Sequence, residues 1–346
     1  MVTKNKKPTA IDLFSGCGGL SAGLRNAGFD VVAAVENEPL AGSTYRLNHK
    51  STLLLDHDIK KIRPTFLRNK LGLLPGELTL LAGCPPCQGF STLRTLNGGK
   101  AVDEPMNDLI FQFLKFVDAF RPKAIMMENV PGLAHDSRIQ KFRSKIARLG
   151  YFSEARVLDA ADYGTPQRRK RMVLVALKDA APVFADKAKY RKSVKWALST
   201  LARCQVSDDP LHSYEVRRAP HVTDLIRKIP HDGGSRTDLP TDLQLACHQK
   251  CDGFKDVYGR MSWEQPAPTI TGGCINPSKG RFLHPTEDRA ITLREAAVLQ
   301  GFSRSYRFDT SKGRYPVAQM IGNAFPPKFA EMHAAALLKE ISAAGR

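Results

Sequence analysis

Two cysteines, Cys84 and Cys87, bracket Pro85 and Pro86 in the stretch GCPPCQGFS. A thiolate is among the strongest nucleophiles a side chain can supply, and this spacing admits three chemistries. The pair could ligate zinc, with Cys247, His248 and Cys251 completing the site. It could cycle as a dithiol, although nothing around it has the rest of a thioredoxin-like pattern. Or one cysteine could act alone on a stiff loop. The prolines favour this last chemistry, because they fix two successive φ angles and lack the N–H groups that support thiolates in zinc knuckles. An ordinary thiol, with a pKa of about 8.5, needs positive surroundings to ionise at neutral pH. Arg169 and Arg171, in the basic run 168–171, are candidates for that field.

A carboxyl group is the second chemical element. Glu128 closes the apolar run Ala124-Ile125-Met126-Met127, where desolvation raises a carboxyl pKa and lets it donate a proton. The plainer alternative is an ion-paired glutamate at a strand end. The third element is the glycine turn in AIDLFSGCGGLSAGL, which allows close approach of a ligand to the backbone. Glu36, 20 positions after Gly16, could hold ribose hydroxyls. Ser21 stands where a dinucleotide fingerprint has its third glycine, and no P-loop lysine follows. A nucleoside cofactor without a phosphate to cradle therefore fits better than NAD or ATP, with a purely structural turn as the alternative.

These residues need a scaffold, and the first half of the chain supplies one. Short apolar runs at 10–14, 31–36, 78–83, 123–128, 155–160 and 172–177 alternate with amphipathic stretches, predicting a doubly wound α/β core with a parallel sheet. The glycine turn, the cysteine loop and the ENVPG stretch each begin where a predicted strand ends, so all three can face one crevice. From about Lys178 the apolar periodicity weakens and no strand–helix alternation is legible until about Ile291. The expected organisation is a catalytic and cofactor-binding domain at 1–177, a smaller irregular domain at 178–290, and helices at 291–346 returning to the first domain. Thr292 and Glu295 are spaced as a capping box before a helix at 293–300, and Pro326-Pro327 starts a terminal helix.

Composition narrows the partners. A net charge of +18 favours a polyanion, and residues 121–178 alone hold 13 Lys and Arg against 5 Asp and Glu. Seven cysteines, an odd number, argue against a disulfide framework and for a reducing, cytoplasmic setting. No run approaches the roughly 20 apolar residues of a membrane span, so no membrane partner is expected.

The ordered blocks DLFSGCGG, VEN, PPCQGFS, ENVPG, QRRKR, REAAVLQGF and IGNAFPP resemble the DNA (cytosine-5)-methyltransferases. The resemblance implies a Rossmann-like fold and methyl transfer from S-adenosyl-L-methionine to carbon 5 of cytosine in double-stranded DNA. It makes Cys87 the nucleophile that adds to carbon 6. Glu128 becomes the carboxyl on N3 and the exocyclic amine, with Arg169 and Arg171 holding the ring carbonyl. It assigns the cofactor to Phe14, Gly16, Cys17, Gly19, Glu36, Asn37, Asp58, Ile59, Pro86, Leu109, Asn323 and Ala324. Asn37 departs from members with a large aromatic there. The target base would be flipped from the duplex, and the irregular domain would read the sequence.

Gln88 and Ser91 would lie near the extruded nucleotide, and Arg217, Arg218, Arg236, Lys250 and Arg260 are candidates to touch guanine or phosphate. Between 186 and 289 the balance is 17 basic to 13 acidic residues, so this region is not simply a phosphate-binding surface. No metal site is expected. A monomer would suffice, acting either with a cognate restriction endonuclease of the same target or alone. The rivals are a tRNA cytosine-5 methyltransferase, whose usual Cys-Phe-Thr tripeptide this chain lacks, and a zinc-stabilised DNA-binding protein without catalysis.

Overall fold

The computed structural model describes residues 7–86, 109–202, 209–212, 218–244 and 256–344. Cys87, Gln88, Ser91, Arg217 and Lys250 lie outside the described residues. The chain forms two compact units. The first takes residues 1–159, 170–187 and 325–346, and the second takes 160–169 and 188–324.

The first unit is built on a seven-stranded sheet of order β3-β2-β1-β4-β5-β7-β6. Its strands are β1 (Thr9–Leu13), β2 (Asp30–Val35), β3 (Leu53–Leu55), β4 (Leu80–Gly83), β5 (Ala124–Asn129), β6 (Tyr151–Asp159) and β7 (Lys170–Lys178). The strands β1 to β5 pair in parallel, and β7 runs antiparallel to both of its neighbours. Strand order reverses between β1 and β4, which is where open α/β sheets leave a ligand crevice. The all-parallel expectation is thus corrected at one margin: periodicity reveals a buried strand but not its direction.

Helices α1 (Gly19–Asn26), α2 (Pro39–Asn48), α3 (Pro64–Lys70), α4 (Leu109–Phe120) and α5 (Ser137–Ala147) connect the strands. On α4, Ile110, Phe113, Phe116, Val117 and Phe120 are buried, a stripe at helical spacing that joins the sheet's main core. Phe113 meets Phe142 of α5 edge-to-face at 6.0 Å. Residue Gly23 lets α1 lie against the terminal helix. A Cβ there would stand 2.4 Å from the Pro327 carbonyl oxygen and 2.5 Å from Ala330 Cβ.

Among the described residues the second unit contains α6 (Val194–Ala202), α7 (Pro220–Lys228), α8 (Leu293–Gln300) and α9 (Arg314–Asn323), together with short 3-10 turns. The expected capping box is present on α8: Thr292 accepts from the Glu295 amide, and Glu295 accepts from the Thr292 amide. Packing of α8 on α6 and α9, with an Arg294–Asp209 ion pair, places these helices in the second unit. Only the terminal helix α10 (Pro327–Ala344), begun by proline as expected, belongs with the first. Among the described residues no helix is long and apolar enough to cross a membrane.

Candidate active site

Strand register builds a row of side chains along one edge of the first unit. Leu13 pairs with Val35 on one side and Gly83 on the other, and Gly83 pairs with Met127. The residues that follow, Glu36, Phe14, Cys84 and Glu128, therefore stand side by side in that order at the ends of their strands. At about 4.8 Å per strand, three steps carry the row roughly 14 Å from Glu36 to Glu128. Because β7 runs the opposite way, its first residues reach this same edge.

That reversal brings Arg171 to Glu128, with Nε 2.8 Å from Oε1, both side chains largely enclosed. Arg171 Nη1 donates to the Lys170 carbonyl at 2.7 Å. Its Nη2 makes no hydrogen bond among the described residues. The Cys84 thiol lies beside the same carboxylate. Burial, then the nearby Glu128 and Asp12 charges, push its pKa well above that of a free thiol, so Cys84 stays protonated. Asn129 ties the loop down: its Nδ2 donates to the Pro85 carbonyl at 2.8 Å and its Oδ1 accepts from the Val130 amide at 2.8 Å. The segment leading to Cys87 is thus anchored on the strand that carries Glu128.

At the other end of the row, the chain leaves β1 through left-handed backbone at Phe14 (φ 61°), Gly16 (φ 54°) and Gly18 (φ 95°). Such a φ is costly for a bulky residue such as phenylalanine, and strain of this kind collects at binding sites. The Glu36 carboxylate accepts from the amides of Gly16 at 2.7 Å, Asn37 at 3.0 Å and Glu38 at 2.8 Å. Burial outweighs these bonds and raises its pKa. Beneath the loop, Ser21 Oγ donates to Asp12 Oδ2 at 2.6 Å and lies 2.8 Å from Tyr45 Oη. Asp12 is completely buried, and desolvation pushes its pKa to about 7. Asp12 Oδ1 and Ser15 Oγ are buried without a hydrogen-bond partner among the described residues.

The other expected site residues scatter more widely. Cys17 is buried in the loop, its thiol pushed up to about 12 by desolvation. Gly19 opens α1, and Asn37 is exposed. Asp58 caps a short 3-10 turn by accepting from the Lys60 amide at 2.9 Å. Ile59 is buried in the core, whereas Pro86 and the first residue of α4, Leu109, keep partial exposure. Asn323 ends α9 in the second unit and Ala324 caps it.

Three arginines lie deeper than expected. Arg169, expected to hold a ring carbonyl beside Arg171, is buried in the second unit. It donates to the Ile270 carbonyl at 3.0 Å and the Gly322 carbonyl at 2.9 Å. It is a positioning residue for those two backbone segments. Arg260, expected at the DNA surface, is fully buried. Its guanidinium donates to the carbonyls of Ile226, Ile229, His284 and Glu287 and pairs with Asp288. Arg236 is buried as well, whereas Arg218 remains partly exposed. A buried guanidinium persists where carbonyls satisfy its fixed fork of donors, and sequence alone does not reveal such a cage.

Sequence reasoning also missed Asn129, Asp12 and the pair Gln167–Gln300. Gln167 accepts from the Ile270 amide at 2.7 Å and donates to Gln300, which donates to the Ala324 carbonyl at 2.6 Å. Each lies inside or beside a block already singled out. For Asn129 and Asp12 the available signal was a polar residue inside an apolar strand, which burial makes costly unless it finds partners.

A glycine loop at the switch point of the sheet, with the Glu36 carboxylate on it, thus lies on the same edge as the strand-end carboxyl Glu128 and the chain leading to Cys87. The model of the C-5 cytosine-specific DNA methylase family matches residues 9–339, and the chain belongs to that family. It is 36% identical over 334 residues to the Type II methylase M.HgiDII of Herpetosiphon aurantiacus, with 91% of each chain covered. It is 33% identical over 341 residues to the Type II methyltransferase M1.HphI of Haemophilus parahaemolyticus, covering 96% of this chain and 87% of that one. A crystal structure described as a DNA modification methyltransferase of an Escherichia coli prophage matches with TM-score 0.69 and 26% identity, covering 96% of this chain and 99% of that one.

The protein is therefore a DNA (cytosine-5)-methyltransferase, and S-adenosyl-L-methionine is its methyl donor. The glycine loop fits that donor. Its polar groups are the Glu36 and Asp12 carboxyls and the unmet Asp12 Oδ1 and Ser15 Oγ, suited to ribose hydroxyls and cationic centres. A Cβ built on Gly16 would meet nothing within 4 Å, so the backbone there borders open space.

Proposed function

We propose that the enzyme methylates cytosine in duplex DNA through a transient covalent bond between Cys87 and carbon 6 of a base flipped out of the helix. Phe14, Gly16, Cys17, Gly19, Glu36, Asn37, Asp58, Ile59, Pro86, Leu109, Asn323 and Ala324 hold the donor, which supplies an electrophilic methyl group when bound. Carbon 5 of cytosine is a poor nucleophile. Addition of the Cys87 thiolate to carbon 6 consumes the 5,6 double bond and leaves an enamine whose carbon 5 can accept the methyl. Glu128 hydrogen-bonds N3 and the exocyclic amine, supporting the negative charge that addition drives into the ring. Arg171 holds Glu128 through Nε, with Nη2 left for the ring carbonyl. After transfer a solvent-derived base removes the carbon-5 proton, the double bond re-forms and Cys87 leaves as thiolate.

The observation that carries this reading is the Glu128–Arg171 pair at the sheet edge where the cysteine loop begins, 2.8 Å between Nε and Oε1. The test is Cys87→Ser with labelled methyl donor and DNA containing 5-fluorocytosine. Transfer and covalent trapping are both expected to vanish while donor binding persists. Undiminished transfer by the variant overturns the covalent route. Type II methyltransferases among the relatives support a role as the modification enzyme of a restriction-modification system. Bisulfite sequencing of DNA from expressing cells gives the target, and cleavage of the unmodified target by a co-encoded endonuclease tests the pairing.

A further inference from the structure

The second unit carries an open cleft of about 430 Å³ lined from four separated stretches by Arg168, Asp256, Thr269, Thr271, Lys279 and Arg281 among others. Its charges are not equivalent. Arg281 donates from Nε to Asp256 Oδ1 at 3.0 Å and from Nη1 to the carbonyls of Gly233 at 2.8 Å and Arg260 at 3.0 Å. Asp256 is thereby neutralised and Arg281 is committed to the fold. Arg168 and Lys279 are exposed, and neither side chain has a hydrogen-bond or ion-pair partner among the described residues.

Both cations nevertheless rise from fixed backbone. The Arg168 amide donates to the Ala267 carbonyl at 2.8 Å, and Thr269 Oγ1 donates to the Arg168 carbonyl at 2.8 Å. Lys279 ends a 3-10 turn capped by Asn276, which accepts from the Ser278 amide at 3.0 Å. Thr271 Oγ1 accepts a long bond from the Gly273 amide at 3.4 Å, leaving its own hydroxyl proton available.

We propose that this cleft seats the phosphodiester backbone of the DNA substrate, with Arg168 and Lys279 as the cations and Thr271 as a neutral donor. The proposal rests on the DNA reading above and deepens it. Two uncommitted cations with a hydroxyl donor, the lining acid already paired, match an acceptor-rich anion. A base-reading arginine needs its guanidinium held in one pose so that both donors meet the base edge. Unbraced side chains on a braced backbone suit phosphate, which accepts from many directions and positions the protein without reading sequence.

The experiment uses the whole protein and a labelled mixed-sequence duplex of about 30 base pairs, with affinity followed by anisotropy between about 50 and 300 mM salt. Arg168→Ala and Lys279→Ala should each reduce the slope of log affinity against log salt by about one, and Arg168→Lys should retain the wild-type slope. Thermal melting confirms that the variants fold, and Lys279→Gln serves if the alanine variant does not. A wild-type slope in the folded double variant overturns the phosphate seat alone. So does an altered target sequence with an unchanged slope, which would make Arg168 a base reader. A wild-type protein whose duplex binding ignores salt overturns the DNA reading and the seat together.

Discussion

Removing the arginine clamp tests whether Glu128 works alone. The Arg171 Nε to Glu128 Oε1 distance is 2.8 Å, with side chains 17% and 11% exposed. Charge centres about 4 Å apart attract by about 4 kcal/mol at an effective dielectric constant of 20. Desolvation of the two ions removes about half of that, leaving a coupling of about 2 kcal/mol. In catalytic terms this is about 30-fold, since 1.36 kcal/mol is a factor of ten. The assay is a double-mutant cycle on kcat/KM for methyl transfer with Glu128→Gln and Arg171→Ala. Glu128→Gln alone should lose about 10²-fold, as expected for a group that assists proton and charge movement. The double variant should retain about 30-fold more activity than the product of the two single losses predicts. Losses that multiply within a factor of about three would refute the clamp.

Asp12 offers a test by pH. Its folded value of about 7 lies above the ordinary 3.8, so between those values the unfolded chain releases a proton that the folded chain keeps. Stability therefore falls as pH rises from about 4 to 7 and levels off above, a total loss of about 4 kcal/mol. Denaturant titrations of Asp12→Asn should lack this decline; an unchanged pH profile would contradict it. Asn129→Ala removes a buried donor to Pro85 and should cost about 1–3 kcal/mol in melting experiments. Because the loop leading to Cys87 loses its tether, kcat should fall more than tenfold, roughly the cost of mispositioning, with donor affinity little changed by calorimetry. Gly23→Ala should destabilise by about 1–3 kcal/mol through overpacking of α1 against the terminal helix, read as a lowered melting temperature.

Much of the scaffold was legible because it follows from local rules. The glycine turn, the apolar strands, the aromatic stripe on α4 and the Thr292–Glu295 cap each announce themselves within a few residues. What stayed hidden depends on distant partners. The reversal of β7 is settled by pairing with β5 and β6, and it alone explains why Arg171 reaches Glu128. Strand β3, three residues of leucine, is too short to show a period. Nothing local in the sequence marks Arg260, Arg236 and Arg169 as buried, and Arg260 and Arg169 direct guanidinium donors at carbonyls of the second unit. Among the described residues of 178–290, single side chains such as Arg260 hold stretches of backbone outside regular elements, and such contacts leave no period in the sequence.

The protonated state of the described cysteines has a practical outcome. Cys17, Cys84 and Cys274 all have thiols raised by burial, the first and last to about 12. Alkylating reagents and mild oxidants, which select thiolate, should pass these three by at neutral pH. A maleimide or iodoacetamide footprint of the native enzyme would then report on the remaining four sulfurs, Cys87 among them, without first engineering a cysteine-light background.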